Sequence, residues 1–243
     1  MFSWFSSKQK ISESLKLTTD IHSHLLPGLD DGVKTFEESK EIILYFKKLG
    51  YKKIITTPHI MIDAYKNSPA SILGKLSKLK TFLSAENIEI EIEAAAEYYL
   101  DQELMNSFEK DEKLLTFGKR YILFETNFLT EPLNLKEFIF IATTKGYTPV
   151  LAHPERYLYL QNNIEKLEDL LNRGVLFQVN VSSITGYYSK QSQQTARKLI
   201  DKGWIHFLGS DCHHLKHIQL TEEASQLKYY HKALSLPLLN NTL

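Results

Sequence analysis

An α/β fold whose parallel strands close into a seven-stranded (β/α)7 barrel is predicted by three features of the 243-residue sequence. Short apolar runs alternate with capped amphipathic segments along the whole chain. Most of those runs end on a histidine or an acid: His22 and His24, His59, Glu97, Glu125, His153, then Asp211 with His213. In a parallel barrel all C-terminal strand ends share one rim, so residues about two hundred positions apart can meet there, whereas an open sheet would spread them out.

The elements follow in order. Lys16 to His24 is the first expected strand. Thr35, with Glu38 three positions on, has the form of a capping box, and Ile42, Ile43, Phe46 and Leu49 keep helical spacing until Gly50. Lys53 to Thr57 makes a second strand, ending at Pro58-His59. Ser68 and Pro69 open a helix running to about Glu86, with Ile72, Leu76, Leu79 and Leu83 on one side. A third strand spans Ile88 to Ala96. A short helix near Gln102 to Phe108 precedes a fourth strand, Tyr121 to Phe124. A helix from about Asn134 to Lys145 stops at Gly146, and Thr148 to Ala152 is the fifth strand. Ile164 to Arg173 is helical, Val175 to Val179 is the sixth strand, and Ser192 to Lys202 is helical. Ile205 to Leu208 is the seventh strand and about Thr221 to Leu234 the last helix.

Composition narrows the function. Lysine plus arginine equals aspartate plus glutamate at 29 each, so no overall field draws the chain to nucleic acid or an acidic membrane. No run approaches the ~20 apolar residues of a membrane span. Met1 to Lys10 mixes Phe2, Trp4 and Phe5 with serines and lysines and lacks the apolar core of a secretion signal, which makes it an N-terminal tail. The single cysteine, Cys212, excludes an internal disulfide and fits a reducing compartment. A thiol-dependent tyrosine phosphatase would carry an arginine six positions after its cysteine, and that position holds Ile218.

Chemistry concentrates in Asp20 to Gly32. Alternation along a strand puts His22 and His24 on one face, with Asp20 behind them and Ile21 opposite, and Asp30-Asp31-Gly32 can swing a carboxylate back over the strand end. Asp20 is expected to brace a histidine and Asp30 to shape the turn. Imidazoles and carboxylates in such number on one rim would be left charged or unsatisfied without cations between them. Mixed nitrogen and oxygen donors favour manganese, iron or zinc over calcium, and eight ligands are too many for one ion.

Taken together, His22-Ser23-His24, Thr57-Pro58-His59, Ala96-Glu97-Tyr98-Tyr99, His153-Pro154-Glu155-Arg156-Tyr157 and Ser210-Asp211-Cys212-His213 resemble the PHP family of metal-dependent phosphoesterases. More narrowly they resemble its bacterial protein-tyrosine phosphatases, which act with capsular and exopolysaccharide kinases. The similarity runs from about Leu17 to near the C-terminus. It implies a tail over residues 1–16 and one phosphoesterase domain over 17–243, folded as a distorted TIM-like barrel. Three divalent ions are implied, manganese first, with iron, zinc or magnesium as alternatives. One would be held by His22, His24, Glu97 and Asp211, a second by Glu97, Glu125 and His153, and a third by Asp31, His59 and His213.

The implied reaction is attack of a metal-activated hydroxide on phosphorus, with no cysteine nucleophile and no phosphoenzyme. Arg156, one of four arginines, is expected to bind the phosphate through its guanidinium fork. A metal-bound water, Asp31 and His213 are candidate acids, and Tyr65, Tyr98, Tyr99 and Tyr157 are expected to flank the phenyl ring. Substrate would be a phosphotyrosine protein such as a bacterial tyrosine kinase tail, met in the cytoplasm at the inner face of the membrane, with no nucleic acid partner. The oligomeric state is not encoded legibly. Two alternatives remain: a small-molecule phosphomonoesterase such as a histidinol phosphatase, and a non-catalytic metal-stabilised scaffold that binds the kinase. Where some relatives carry an arginine soon after Asp-x-His, this chain has His214, Lys216 and His217.

Overall fold

The computed structural model describes residues 16–243, so the tail expected at Met1–Lys10 lies outside the described residues. Its strand segments are β1 (Thr19–Asp20), β2 (Lys53–Thr56), β3 (His59–Ile60), β4 (Glu91–Ala94), β5 (Glu97–Tyr99), β6 (Tyr121–Glu125), β7 (Thr148–Ala152), β8 (Leu176–Asn180) and β9 (Phe207–Gly209). All pairing is parallel, in the orders β1-β2-β4 and β3-β5-β6-β7-β8-β9.

These segments are the seven expected strands, two of them interrupted. β3 continues β2 after Thr57-Pro58, and β5 continues β4 after Ala95-Ala96. Proline has no N–H to offer the ladder, so regular pairing steps there. The Ala95 N–H to the Thr56 carbonyl, 2.9 Å, and the Glu97 N–H to the Pro58 carbonyl, 3.2 Å, carry the register across.

The ring closes at the rim. Ser23 bridges Cys212 in parallel, the Asp211 N–H donates to the His22 carbonyl at 2.8 Å, and the His24 N–H donates to the Cys212 carbonyl at 2.9 Å. Deeper down, β1 and β9 do not pair directly. The buried carboxamide of Asn240 fills the seam, accepting from the Leu208 N–H at 3.0 Å and donating to the carbonyls of Leu208 and Thr19 at 2.8 and 3.0 Å. One side chain thus replaces the missing backbone ladder.

Helices α1 (Phe36–Leu49), α2 (Pro69–Ala85), α3 (Gln102–Glu109), α4 (Leu135–Thr144) and α5 (Ile164–Asn172) follow the first five strand positions. They are succeeded by α6 (Val181–Thr185), α7 (Lys190–Lys202), α8 (Leu215–Ala224) and α9 (Lys228–Leu234). None is long and apolar enough to cross a membrane. Strand alternation separates two cores. Ile54, Ile92, Phe124, Leu151, Phe177 and Leu208 pack with the helices, whereas Ile55, Ala95, Leu123, Val150 and Phe207 form a smaller cluster enclosed by the strands.

Four details depart from expectation. Regular strand one ends at Asp20, so alternation fails there, and Ile21 joins the enclosed cluster. The last helix is two helices broken at 225–227, and α6 lacks a side-chain cap to mark its start. The Thr35 hydroxyl does accept from the Glu38 N–H, but the Glu38 carboxylate takes the N–H of Lys34 rather than that of Thr35, so the capping box is half formed.

Asn240→Ala should be strongly destabilising, because each buried backbone group left unpaired costs about 1–3 kcal/mol. Urea unfolding of the variant and the parent chain measures this, and an unchanged midpoint would contradict the seam.

Candidate metal centre

Strand termini bring eight of the nine expected metal ligands to one place, and the turn after β1 brings the ninth, Asp31. His22 and His24 follow β1, His59 opens β3, Glu97 opens β5, Glu125 ends β6, His153 follows β7, and Asp211 and His213 follow β9. Among the described residues their donor atoms fall into four overlapping groups: His24, Asp31, His59 and His213; His22, His24 and Asp211; His22, Glu97 and His153; His59, Glu97 and Glu125. Glu97 is fully buried at the centre. Its Oε2 lies 3.1 Å from His22 Nε2, 3.4 Å from His24 Nε2 and 3.2 Å from His59 Nδ1. Asp31 stands at the open side, with Oδ1 3.4 Å from His213 Nε2 and 3.6 Å from His59 Nε2.

These residues fit divalent cations. Glu97 Oε2 and His59 Nδ1 are buried and lack a hydrogen-bond partner, although charged or polar atoms crowd them. Ligands about 3–3.5 Å apart are what bonds of ~2.1 Å to a shared cation produce. The electrostatics agree. Burial works against charge on His22, yet the carboxylates of Glu97 and Asp211 outweigh it and push the imidazole up to about 9. Burial also opposes charge on Glu97 and Asp211, and the surrounding imidazoles still hold both well below the usual carboxylate range. Acids and imidazoles here jointly demand positive charge.

Neighbouring amides and acids aim the ligands. The Nδ1 of His22 is 2.7 Å from Gln178 Oε1, and the Nδ1 of His24 is 2.7 Å from Asp30 Oδ2, leaving both Nε2 atoms facing the centre. Gln178 donates to Asn180 Oδ1 at 2.9 Å, and Asn180 donates to Asp211 Oδ2 at 2.7 Å, so alternate residues of β8 link two ligands through a chain of amides. Space is tight. A Cβ on Gly209 would sit 2.6 Å from Gln178 Nε2 and 2.8 Å from His22 Cβ, and one on Gly32 would sit 2.2 Å from the His24 carbonyl. His153 and Asp211 both adopt left-handed backbone, φ 35° and 49°, a strained conformation for non-glycine residues that turns each side chain out of its strand.

Arg156 lies at the mouth, its Nη1 donating to Asp211 Oδ2 at 2.9 Å. Its guanidinium carbon is 4.7 Å from the Phe128 ring and 4.1 Å from the Tyr188 ring. The Tyr188 hydroxyl is 3.2 Å from the same Asp211 oxygen. A cavity of about 350 Å³ opens here, lined by Asp31, His59, Tyr65, Tyr99, Phe128 and Arg156 beside the ligands.

Not every expected residue reaches this cavity. Tyr65, stacked 5.4 Å from His59, and Tyr99 line it. Tyr98 does not: it is buried and its hydroxyl accepts the Leu115 N–H. Tyr157 is also buried, packed between Phe128, His153 and Tyr159, with its hydroxyl accepting the Thr126 N–H. Both were expected at the phenyl ring; they pack as core because strand alternation and the turn after His153 direct them inward. Asp20 does not brace a histidine but accepts from the Ser210 N–H and hydroxyl. Asp30 braces His24 and also shapes the turn through the Gly32 N–H. Gln178, Asn180, Phe128 and Tyr188 carry no motif, and only an inward position on β8 hinted at the first two.

The fold and site therefore define a parallel α/β barrel whose rim gathers histidine and carboxylate groups able to hold metal. A family described as Capsular polysaccharide synthesis, CpsB/CapC, matches residues 18–231, and the chain belongs to that family. It is 32% identical over 197 residues to tyrosine-protein phosphatase YwqE of Bacillus subtilis, covering 81% of this chain and 78% of the relative. It is 27% identical over 201 residues to tyrosine-protein phosphatase CpsB of Streptococcus pneumoniae, covering 81% and 83%. Among solved structures it matches, with TM-score 0.81 and 30% identity over 92% of this chain and 91% of the other, a chain from the crystal structures of those two proteins, described as unique metal-dependent tyrosine phosphatases.

Gln178→Ala should weaken metal binding roughly 10–100-fold, since it frees the far side of His22. Calorimetric titration with Mn2+ measures this. Because His22, His24 and His59 are pulled toward the charged form, metal must displace protons from them. Affinity should therefore fall as pH falls, and the heat of binding should depend on the buffer's ionisation enthalpy.

Proposed function

We propose that this chain is a metal-dependent protein-tyrosine phosphatase holding two or three divalent ions, manganese foremost, in the ligand groups above. The convergence of nine imidazole and carboxylate side chains beneath a single arginine carries the reading. Its natural substrate would be phosphotyrosine on a bacterial tyrosine kinase that controls capsular or exopolysaccharide synthesis, met at the inner face of the membrane.

Divalent ions bound here would supply an activated water and neutralise charge on the phosphoryl oxygens. The chain's own residues do the rest. Arg156, clamped between Phe128 and Tyr188, presents the remaining edges of its planar fork to phosphate oxygens. Gln178, Asn180 and Asp30 hold His22, Asp211 and His24 in place, so little reorganisation accompanies the reaction. Tyr65 and Tyr99 border the space for the phenyl ring, and the largely exposed Asp31, whose carboxyl is held below its ordinary range by the hydrogen bond with His213, stands ionised at the open side as a ligand and as a partner for His213 Nε2. Cys212 takes no part as nucleophile: its side chain packs in the helix-facing core, and burial pushes its thiol well above the usual range.

Chelation should abolish hydrolysis of a phosphotyrosine peptide, and Mn2+ should restore it. His59→Ala or Asp211→Ala should remove turnover while circular dichroism stays native, and Cys212→Ser should stay active. Faster turnover of histidinol phosphate than of the peptide would overturn the substrate assignment, and metal-loaded protein inert toward every aryl phosphate would point to a scaffold. Loss of one aromatic wall in Phe128→Leu costs about 1 kcal/mol of cation–π contact, which should appear as a roughly fivefold rise in KM.

A further inference from the structure

A second cavity, about 170 Å³, adjoins the metal site, and Tyr65 lines both. The two spaces share a wall made of two chain segments. Of the segment after β3, Met61 faces the metal cavity and Ile62 the second; of β5, Tyr99 faces the first and Tyr98 the second. Residues one step apart along each segment thus serve different cavities, which places the two spaces on opposite sides of a wall one chain thick, with the Tyr65 side chain at the edge they share. The second cavity is a built feature. Met61 and Tyr65 close a tight loop through the Tyr65 N–H to the Met61 carbonyl, 2.7 Å, and the reverse bond, 3.0 Å. Asp101 ties that loop to α3, accepting from the Ile62 N–H at 3.1 Å and the Leu104 N–H at 2.9 Å. Its floor and walls are apolar, with Tyr98 and Leu104 buried and Ile60 and Ile62 above them. Its polar lining is Asp101, Glu103, Lys66, Asn67 and Ser107.

We infer that this cavity is a specificity subsite for an apolar side chain adjacent to the phosphotyrosine in the substrate chain. The inference rests on the phosphatase reading and adds what flanks the reacting residue. A phosphotyrosine whose phosphate reaches the metal centre leaves its own backbone at the rim beside Tyr65, and the neighbouring residue then faces the second opening. An aliphatic side chain desolvates there against Ile60, Ile62 and Leu104. A carboxylate in the same place loses its hydration against the apolar walls and meets Asp101 and Glu103, with Lys66 the one cation opposing them, and is disfavoured.

The test uses the full metal-loaded chain and phosphotyrosine peptides that differ only in the residues flanking the phosphotyrosine: leucine, glycine or glutamate on either side. Leucine on one side should raise kcat/KM about tenfold over glycine, and glutamate should lower it below glycine. Ile62→Asp should erase the leucine advantage, measured as the ratio of peptide to p-nitrophenyl phosphate kcat/KM, Ile62→Val should keep it, and Glu103→Lys should lift the rejection of glutamate. Equal kcat/KM across the peptides, or a leucine advantage that survives Ile62→Asp, overturns the subsite while leaving the phosphatase reading intact. No turnover of p-nitrophenyl phosphate or any peptide overturns both.

Discussion

Everything at the rim depends on the junction between the first and last strands. Three short contacts, Ser23 beside Cys212, Asp211 to His22 and His24 to Cys212, bring together residues from opposite ends of the chain. Were the ring open there, His22 and His24 would lose Asp211 and His213, and two of the four donor groups would fall apart. The junction is narrow because regular β1 is two residues long, and the remaining gap is handed to Asn240. Across that short junction the two strands present ligands at alternate positions, His22 and His24 on one side and Asp211 and His213 on the other.

Closure creates an electrostatic problem that the rest of the site answers. Buried acids and imidazoles are each expensive alone, and here burial is the largest effect on every one of His22, His24, Glu97 and Asp211. Mutual attraction offsets it only while the geometry holds. Gln178, Asn180 and Asp30 hold that geometry from behind, and glycines at 32 and 209 leave room for them to do so. Left-handed backbone at His153 and Asp211 is tolerated because hydrogen bonds on either side tie the turns, among them the Asp211 N–H to His22 and the Arg156 N–H to His153.

Arg156 shows how one residue is shared between stability and chemistry. Its charge lies against Asp211, while its flat faces lie against Phe128 and Tyr188. Phe128 in turn stacks near His153 and Tyr157, so the aromatic mouth and the ligand bed are one packed unit. The exposed side of that unit leads past Tyr65 to the apolar cavity beside α3, and specificity and catalysis thereby use opposite faces of the same two segments.

Local chemistry was legible in the residues themselves. Strand and helix order, the caps at Thr35 and Ser68, the glycine stops at Gly50 and Gly146, and eight of the nine candidate ligands follow from side-chain type, period and position at strand ends, whereas Asp31 as a ligand came from the family resemblance. What tertiary structure alone decided is everything set by contacts between distant strands. The seam plug at Asn240, the amide chain from Gln178 to Asp211, the aromatic clamp on Arg156 and the burial of Tyr98 and Tyr157 leave no periodic trace, because each depends on which side chain from another strand arrives opposite. A sequence records what a residue can do; only the closed ring determines what it faces.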